Sequence, residues 1–241
     1  MVTPVPPLFP SPSDCLSLSV LLARKFAGHG DDLTDGRQNT NERLLSEVKI
    51  VDMPSLGRAI QVMHERYGIP HIVITSVSLA IPDHPPSSLS VVGSTMTSAR
   101  RARAFKIVFP AIDCYFSGTG DMFAALMVVR MREAVWNSPD AERLSVTESW
   151  RSDDSVDALD LPLAKAAEKV LASMHEVLEK TSEAMDAKMK KTRAEMVQRQ
   201  REGEEEDKTS HLLRSKAAEL KLVRHLDSLR SPKVEFRARK W

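Results

Sequence analysis

The stretch FSGTGDMFAALMVV, residues 116–129, decides how the rest of the chain is read. Gly118 and Gly120 bracket Thr119, Asp121 comes directly after, and an apolar run begins at Met122. This is the composition of a turn that opens a helix. Such a start has unpaired backbone N–H groups and a partial positive charge. Glycines let that backbone approach a ligand with no Cβ in the way. Two readings are open. Thr119 and Asp121 are capping residues of an ordinary helix, or the turn is an anion hole for a phosphoryl group with Asp121 as a general base beside it.

Outward from this turn, the pattern is that of an α/β domain. DMPSLGRAIQVMHERYG, residues 52–68, predicts a helix with Pro54 in its first turn, Leu56, Ile60 and Met63 on one face and Gly68 at its end. IPHIVITSVSL, residues 69–79, predicts a buried strand. IPDHPPSS is a loop, LSVVGST and FKIVFP are further strands, and IDCYF, residues 112–116, is expected to pair beyond them. Consecutive short strands predict an antiparallel edge on a parallel sheet. Met122 to Val135 is apolar almost all round and predicts a buried helix.

The flanks are of a different character. Residues 1–38 form a leader with five prolines in its first 14 positions, expected to be disordered or unrelated to the domain, with a short helix at most over 15–26. NERLLSEV, residues 41–48, is a short helix candidate. Residues 137–160 and 198–209 read as polar insertions in a domain spanning 39–241. From Leu161 a long amphipathic helix carries Leu163, Ala167, Val170, Met174, Val177, Leu178, Met185 and Met189 on one face. A second helix is expected over 210–226, and KVEFRAR, residues 233–239, as a terminal strand.

Composition narrows the class. The chain has 241 residues, 42% hydrophobic and 28% charged, with a net charge of +1. A balance so near neutral gives no reason to expect a nucleic-acid or anionic-membrane partner. Cys15 and Cys114, the two cysteines, point to a reducing compartment and to neither a disulfide framework nor a zinc site. The apolar stretch Cys15–Ala23 is too short to span a bilayer, and the leader lacks the basic n-region of a secretory signal. A cytoplasmic protein is expected. His64, His71, His84, His175, His211 and His225 show no metal-ligand spacing and read as surface or boundary residues. Arg100, Arg101 and Arg103 read as a solvated connection rather than a phosphate-binding run.

FKIVFPAIDCYFSGTGDMFAALMVVR, PSLGRAIQVMHERYGIPHIVITSVSL, LPLAKAAEKVLASMHEVLEKT and AAELKLVRHLDSLRSPKVEFRAR together resemble pyridoxal kinases of the ribokinase-like superfamily, fungal members above all. The resemblance runs from about residue 39 to the end. It implies a three-layer α/β sandwich, here incomplete, with long C-terminal helices. It implies ATP-dependent phosphorylation of the 5′-hydroxyl of pyridoxal, pyridoxine or pyridoxamine, with Mg2+ or another divalent cation and K+, in a protein that is usually a homodimer. By that resemblance Gly118, Thr119 and Gly120 form the anion hole and Asp121 is the base. Thr75 and Ser76 contact the nucleotide, Ile112, Asp113 and Cys114 border its adenine, and Asn39 and Glu42 hold metal-bound water near the phosphates. The serine and lid segments that meet the pyridine ring in the family have no counterpart in this chain, which is therefore expected to be a truncated form. A non-catalytic ATP-binding or partner-binding remnant is the alternative. A ribokinase-like sugar kinase fits less well, because such enzymes carry Gly-Ala-Gly-Asp at this turn.

Overall fold

A computed structural model describes residues 18–21, 46–79, 85, 87–112, 114, 116–199 and 220–241, with backbone alone for 18–21, 189 and 191–199. Five strands form one sheet in the order β1 (Leu18–Leu21), β2 (His71–Val77), β3 (Ser88–Met96), β4 (Ala102–Pro110) and β5 (Ala238–Lys240). β1 runs parallel to β2, and every other neighbouring pair is antiparallel. The expected antiparallel edge is thus most of the sheet.

Helix α1 (Met53–Tyr67) precedes β2 and starts where its sequence says it should. The Asp52 carboxylate accepts from the Ser55 N–H at 2.8 Å while the Ser55 hydroxyl accepts from the Asp52 N–H at 3.0 Å. This reciprocal capping box satisfies two orphan donors. Gly68, at φ 63, ends the helix in the left-handed region, its N–H on the His64 carbonyl. Leu56, Ile60 and Met63 are buried against Ile72, Ile74 and Val92 on one face of the sheet. The other face of the sheet, with Val73, Val91, Phe105 and Ile107, is covered by α2 (Thr119–Trp136) and by the long α4 (Pro162–Arg199). On α4, Leu163, Ala167, Val170, Met174 and Val177 are buried as their spacing predicts. Helices on both faces of the sheet make the three layers.

The strands alternate faces as a pleat requires, with one inversion. Ile72 and Ile74 point toward α1 and Val73 toward α2 and α4, yet Val77 joins Ile72 and Ile74. The register explains it. Ile74 pairs with Val92 and Val77 with Ser90, so three steps on β2 match two on β3. The extra residue is a β-bulge at Thr75–Ser76, and it flips the parity of the strand beyond it.

Across β3 and β4, Gly93 pairs with Phe105. A Cβ on Gly93 would lie 2.2 Å from Phe105 Cζ, so the ring occupies the space where any side chain would stand. Phe105 is fully buried there.

Several sequence expectations are corrected. Four residues of the leader, within the span expected as a short helix, form β1. Of the helix expected over 41–48, residues 46–48 are described, and Glu47 leaves helical geometry at φ 57. Residues 112, 114 and 116 form no strand beyond β4. Residues 137–160 are no loose insertion. They fold into α3 (Ala141–Val146) and a 3-10 turn (Glu148–Trp150), bury Leu144, and pack Trp150, Val156, Ala158 and Leu159 against the core. Of the helix expected over 210–226, the described part is a 3-10 turn (Leu222–His225) running into α5 (Leu226–Arg230). The terminal strand is shorter than its pattern, starting at Ala238.

Two histidines expected at the surface are buried instead. His64 Nδ1 lies 2.6 Å from the Ile69 carbonyl and its Nε2 2.8 Å from the Ser94 hydroxyl. His71 Nε2 lies 2.6 Å from the Ser149 carbonyl and its Nδ1 3.0 Å from Thr95 Oγ1. A carbonyl can only accept, so each ring donates to it and receives the hydroxyl proton on the other nitrogen. Both rings are held neutral. Burial lowers both pKa values, that of His71 from 6.5 to about 4.

This packing is open to two tests. Gly93→Ala, which forces the Phe105 ring aside, is expected to cost about 1–3 kcal/mol in urea unfolding, and Gly93→Ala with Phe105→Leu recovers part of the loss. The second test concerns pH. The unfolded chain protonates His71 below about 6.5, whereas the folded chain resists until about 4. Folding stability therefore falls as pH drops through that window, by up to roughly 3 kcal/mol from this group. The slope of stability between pH 7.5 and pH 5 flattens in His71→Gln.

Candidate active site

β2 and β4 are both antiparallel to β3 and so run in the same direction. Val77 pairs with Ser90, and Ser88 with Pro110, which puts the C-terminal ends of β2 and β4 on one edge of the sheet. The resemblance-implied residues that are described gather at this edge. Thr75 and Ser76 form the bulge at the end of β2. The chain leaving β4 is held by the Ala111 N–H on the Ser87 carbonyl at 2.8 Å. It then passes Ile112, Cys114 and Gly118 before α2 begins. Ligands of α/β sheets bind outside strand C-termini in this way.

The helix start answers the question raised by its sequence. Gly118 is the N-cap of α2, at φ 81 and ψ 7, and no side-chain hydrogen bond caps it. Neither Thr119 nor Asp121 plays the capping role, because both are already inside the helix. A left-handed φ at the N-cap favours glycine. A Cβ built on Gly118 would meet nothing within 4 Å, so the space before the turn is open. Thr119 and Gly120 are half-buried and Asp121 is exposed in the first turn. Among the described residues no hydrogen bond or ion pair occupies the Asp121 carboxylate. The arrangement is an uncapped positive helix end facing open space with an unengaged carboxylate beside it.

Thr75 is buried, and Ser76 is half-buried with φ 56. A serine held in the left-handed region within a strand is strained by about 1–2 kcal/mol. No residue type in HIVITS signals this bulge, so it was not legible in the sequence. The Cys114 N–H donates to the Ile112 carbonyl at 2.8 Å, and its thiol sits 3.9 Å from the Met185 sulfur on α4. Cys114 is half-buried at the edge of the site.

Other expected residues fall elsewhere. Asn39, Glu42 and Asp113 lie outside the described residues. Arg100 and Arg101 sit in the β3–β4 hairpin turn, at the opposite edge of the sheet, and engage Glu65. They are a solvated connection, as their sequence suggests. Arg103 is a structural clamp, donating to the carbonyls of Ser152, Asp153 and Val156. Among the described residues no three His, Cys, Asp or Glu side chains are grouped to hold a metal ion. No helix among them is long and apolar enough to cross a membrane.

The chain thus has an α/β sheet covered on both faces, with an open glycine-led helix start at the C-terminal ends of β2 and β4. Comparisons with known proteins agree. No protein-family model matches the chain. A Schizosaccharomyces pombe protein provisionally named a pyridoxal kinase is 30% identical over 144 residues, covering 60% of this chain and 40% of that protein. Pyridoxal kinase from Leishmania donovani in complex with ADP superposes with a TM-score of 0.51 at 19% identity, over 84% of this chain and 49% of the enzyme. Its complex with ADP and pyridoxamine gives 0.50 at 20% identity, over 84% and 50%. The chain is similar in sequence to the Schizosaccharomyces pombe protein and in fold to the Leishmania donovani enzyme, and it spans half or less of the length of each.

The bulge makes a stability prediction. Ser76→Gly relieves the left-handed strain and is expected to raise unfolding stability by on the order of 1 kcal/mol. Ser76→Ala, which keeps the strain, does not. Thermal unfolding of the two variants side by side reads the difference.

Proposed function

We propose that this chain binds ATP and carries the phosphoryl-transfer chemistry of a vitamin B6 kinase, acting on the 5′-hydroxyl of pyridoxal, pyridoxine or pyridoxamine. The observation that carries the reading is the open, uncapped start of α2 at Gly118 with Asp121 unengaged beside it. Support comes from the Leishmania donovani enzyme with the same fold, which was captured with ADP and pyridoxamine.

The chemistry arises from the groups at the helix start. Backbone N–H groups of Thr119 and Gly120 face the γ-phosphoryl oxygens, where charge accumulates during transfer. The Asp121 carboxylate accepts the proton of the vitamer's hydroxyl. The freed oxygen attacks the γ-phosphorus, the bond to the β-phosphate oxygen breaks, and ADP departs. Thr75 and Ser76 donate hydroxyls toward the nucleotide phosphates from the neighbouring strand end, and Ile112 to Cys114 border the adenine. Mg2+ and K+ accompany ATP by resemblance, with Asn39 and Glu42 as the residues assigned to the divalent ion. A divalent ion held there would neutralise charge on the β- and γ-phosphate oxygens.

Asp121→Asn is the decisive variant. Pyridoxal 5′-phosphate formation, measured with ATP, Mg2+ and K+, is expected to drop by a factor of about 100 to 10,000, while ATP binding in isothermal titration stays within about twofold of the parent. Equal turnover by parent and variant would remove Asp121 from the chemistry. A folded chain that binds ATP but forms no product favours the non-catalytic reading.

A further inference from the structure

The β4–β5 ladder holds two cations that the rest of the fold leaves without a counterion. Phe105 and Ile107 face α2 and α4, so Lys106 between them faces the α1 side of the sheet. Arg239 stands directly opposite Lys106 in the register and shares that face. Such partners have Cβ atoms about 5 Å apart. The neighbouring charges are satisfied. Lys240 pairs with Asp157 at 2.8 Å and Arg237 with Glu168 at 2.9 Å. On α1, Asp52 is held by Ser55 and Glu65 by Arg101. Among the described residues no salt bridge or side-chain hydrogen bond engages Lys106 or Arg239.

Edge protection does not account for the pair. A charge on an edge strand discourages a further strand from adding, and Arg239 supplies one. Lys106 is on an inner strand, and like charges directly opposite each other weaken a ladder. An aromatic group adjoins them. Trp241, two positions beyond Arg239, returns to the same face. A Cβ built on Gly57 of α1 would lie 3.5 Å from its Cζ2. The indole thus rests on α1 beside the two cations, 39% exposed.

We propose that Lys106, Arg239 and Trp241 form a binding site for a small phosphate monoester, the cations taking the phosphate and the indole the group esterified to it. A phosphate monoester carries close to two negative charges at neutral pH and three acceptor oxygens, so one group offsets both cations. The Arg239 fork takes two oxygens and the Lys106 ammonium meets the third. A carboxylate would leave one cation uncompensated. The indole offers a flat apolar surface to the ester group. This site is on the α1 face of the sheet, whereas α2 covers the other face. It goes beyond the kinase reading and does not depend on it.

The probes are phenyl phosphate, inorganic phosphate and benzoate, titrated into the full chain at low salt and followed by backbone amide NMR shifts. Phenyl phosphate is expected to bind with Kd ~1 mM and to move the amides of residues 105–107 and 238–241. Inorganic phosphate, which lacks the ring, binds about fivefold more weakly, and benzoate, a monoanion, about tenfold more weakly. Lys106→Met and Arg239→Met each weaken both phosphates about tenfold. Trp241→Ala removes only the advantage of phenyl phosphate. Each cation variant unfolds at or above the parental temperature, because it removes a like-charge contact, so lost binding is not lost folding. Shifts confined to residues 118–121 would put the phosphate at the start of α2, which overturns this site and supports the kinase reading. An absence of binding overturns the site and leaves the kinase reading to its own ATP titration. Benzoate as tight as phenyl phosphate, or phosphates indifferent to the cation variants, also overturns it. Inorganic phosphate as tight as phenyl phosphate overturns the monoester assignment.

Discussion

The contact between Gly93 and the ring of Phe105 is the constraint on which the rest of the molecule depends. Gly93 lacks a side chain where β3 and β4 cross, and the Phe105 ring fills that space. The ring also belongs to the cluster with Met127, Met131, Leu163 and Val170, which seats α2 and α4 on the sheet. Eight residues separate the end of β4 from the start of α2, so the angle at which α2 meets the sheet sets where Gly118 and Asp121 stand. Packing of this ring thus helps to seat the helix that begins beyond Gly118. A looser β3–β4 pairing would leave the same residues in the sequence and no site at the edge.

A second support holds α2 from the far end. Arg130 is buried, pairs with Glu133 and donates to the carbonyls of Leu229 and Arg230. Glu133 also meets Lys169 on α4. Removing one partner would leave a buried charge uncompensated, which is the costly way to break such a network. The guanidinium therefore ties the C-terminal turn, α2 and α4 into one unit. The apolar side of α2 provides the burial, and this network sets its rotation. The exposed side of α2 is the consequence of that rotation. The helix expected to be buried is buried on one side only. Among the described residues, nothing buries Val128, Val129 and Trp136.

How far the sequence was legible depended on the range of the interaction. α1 was readable because everything that makes it is local: Asp52 and Ser55 at one end, Gly68 at the other, and Leu56, Ile60 and Met63 at helical spacing. The glycine turn was readable for the same reason. The features that escaped depend on residues far apart. Buried His71 needs the carbonyl of Ser149, 78 positions away, and no periodicity around His71 announces it. His64 gave a weaker warning, since it sits next to Met63 on the buried side of α1. Residues 137–160 looked like an insertion because they are polar. They are anchored by Arg103 gripping their carbonyls, a pairing of side chain with backbone that leaves no mark in their own composition. β1 was missed because a four-residue strand in a proline-rich context is stabilised by its neighbour β2 rather than by its own pattern.

On the proposed kinase reading, exclusion of water at the helix start matters as much as the residues that form it. An uncapped helix end offers about half a positive charge, and in bulk water that charge is largely screened. The same donors act far more strongly once water is excluded and their positions are fixed before the reaction. In this chain the donors are fixed by glycine geometry, by the Phe105-anchored packing behind them and by the Arg130 network. The described residues do not themselves exclude water, since Asp121 is exposed and the space before Gly118 is open. Preorganisation and desolvation are therefore divided. On the proposed kinase reading the first resides in the β4–α2 corner, and the described residues do not supply the second.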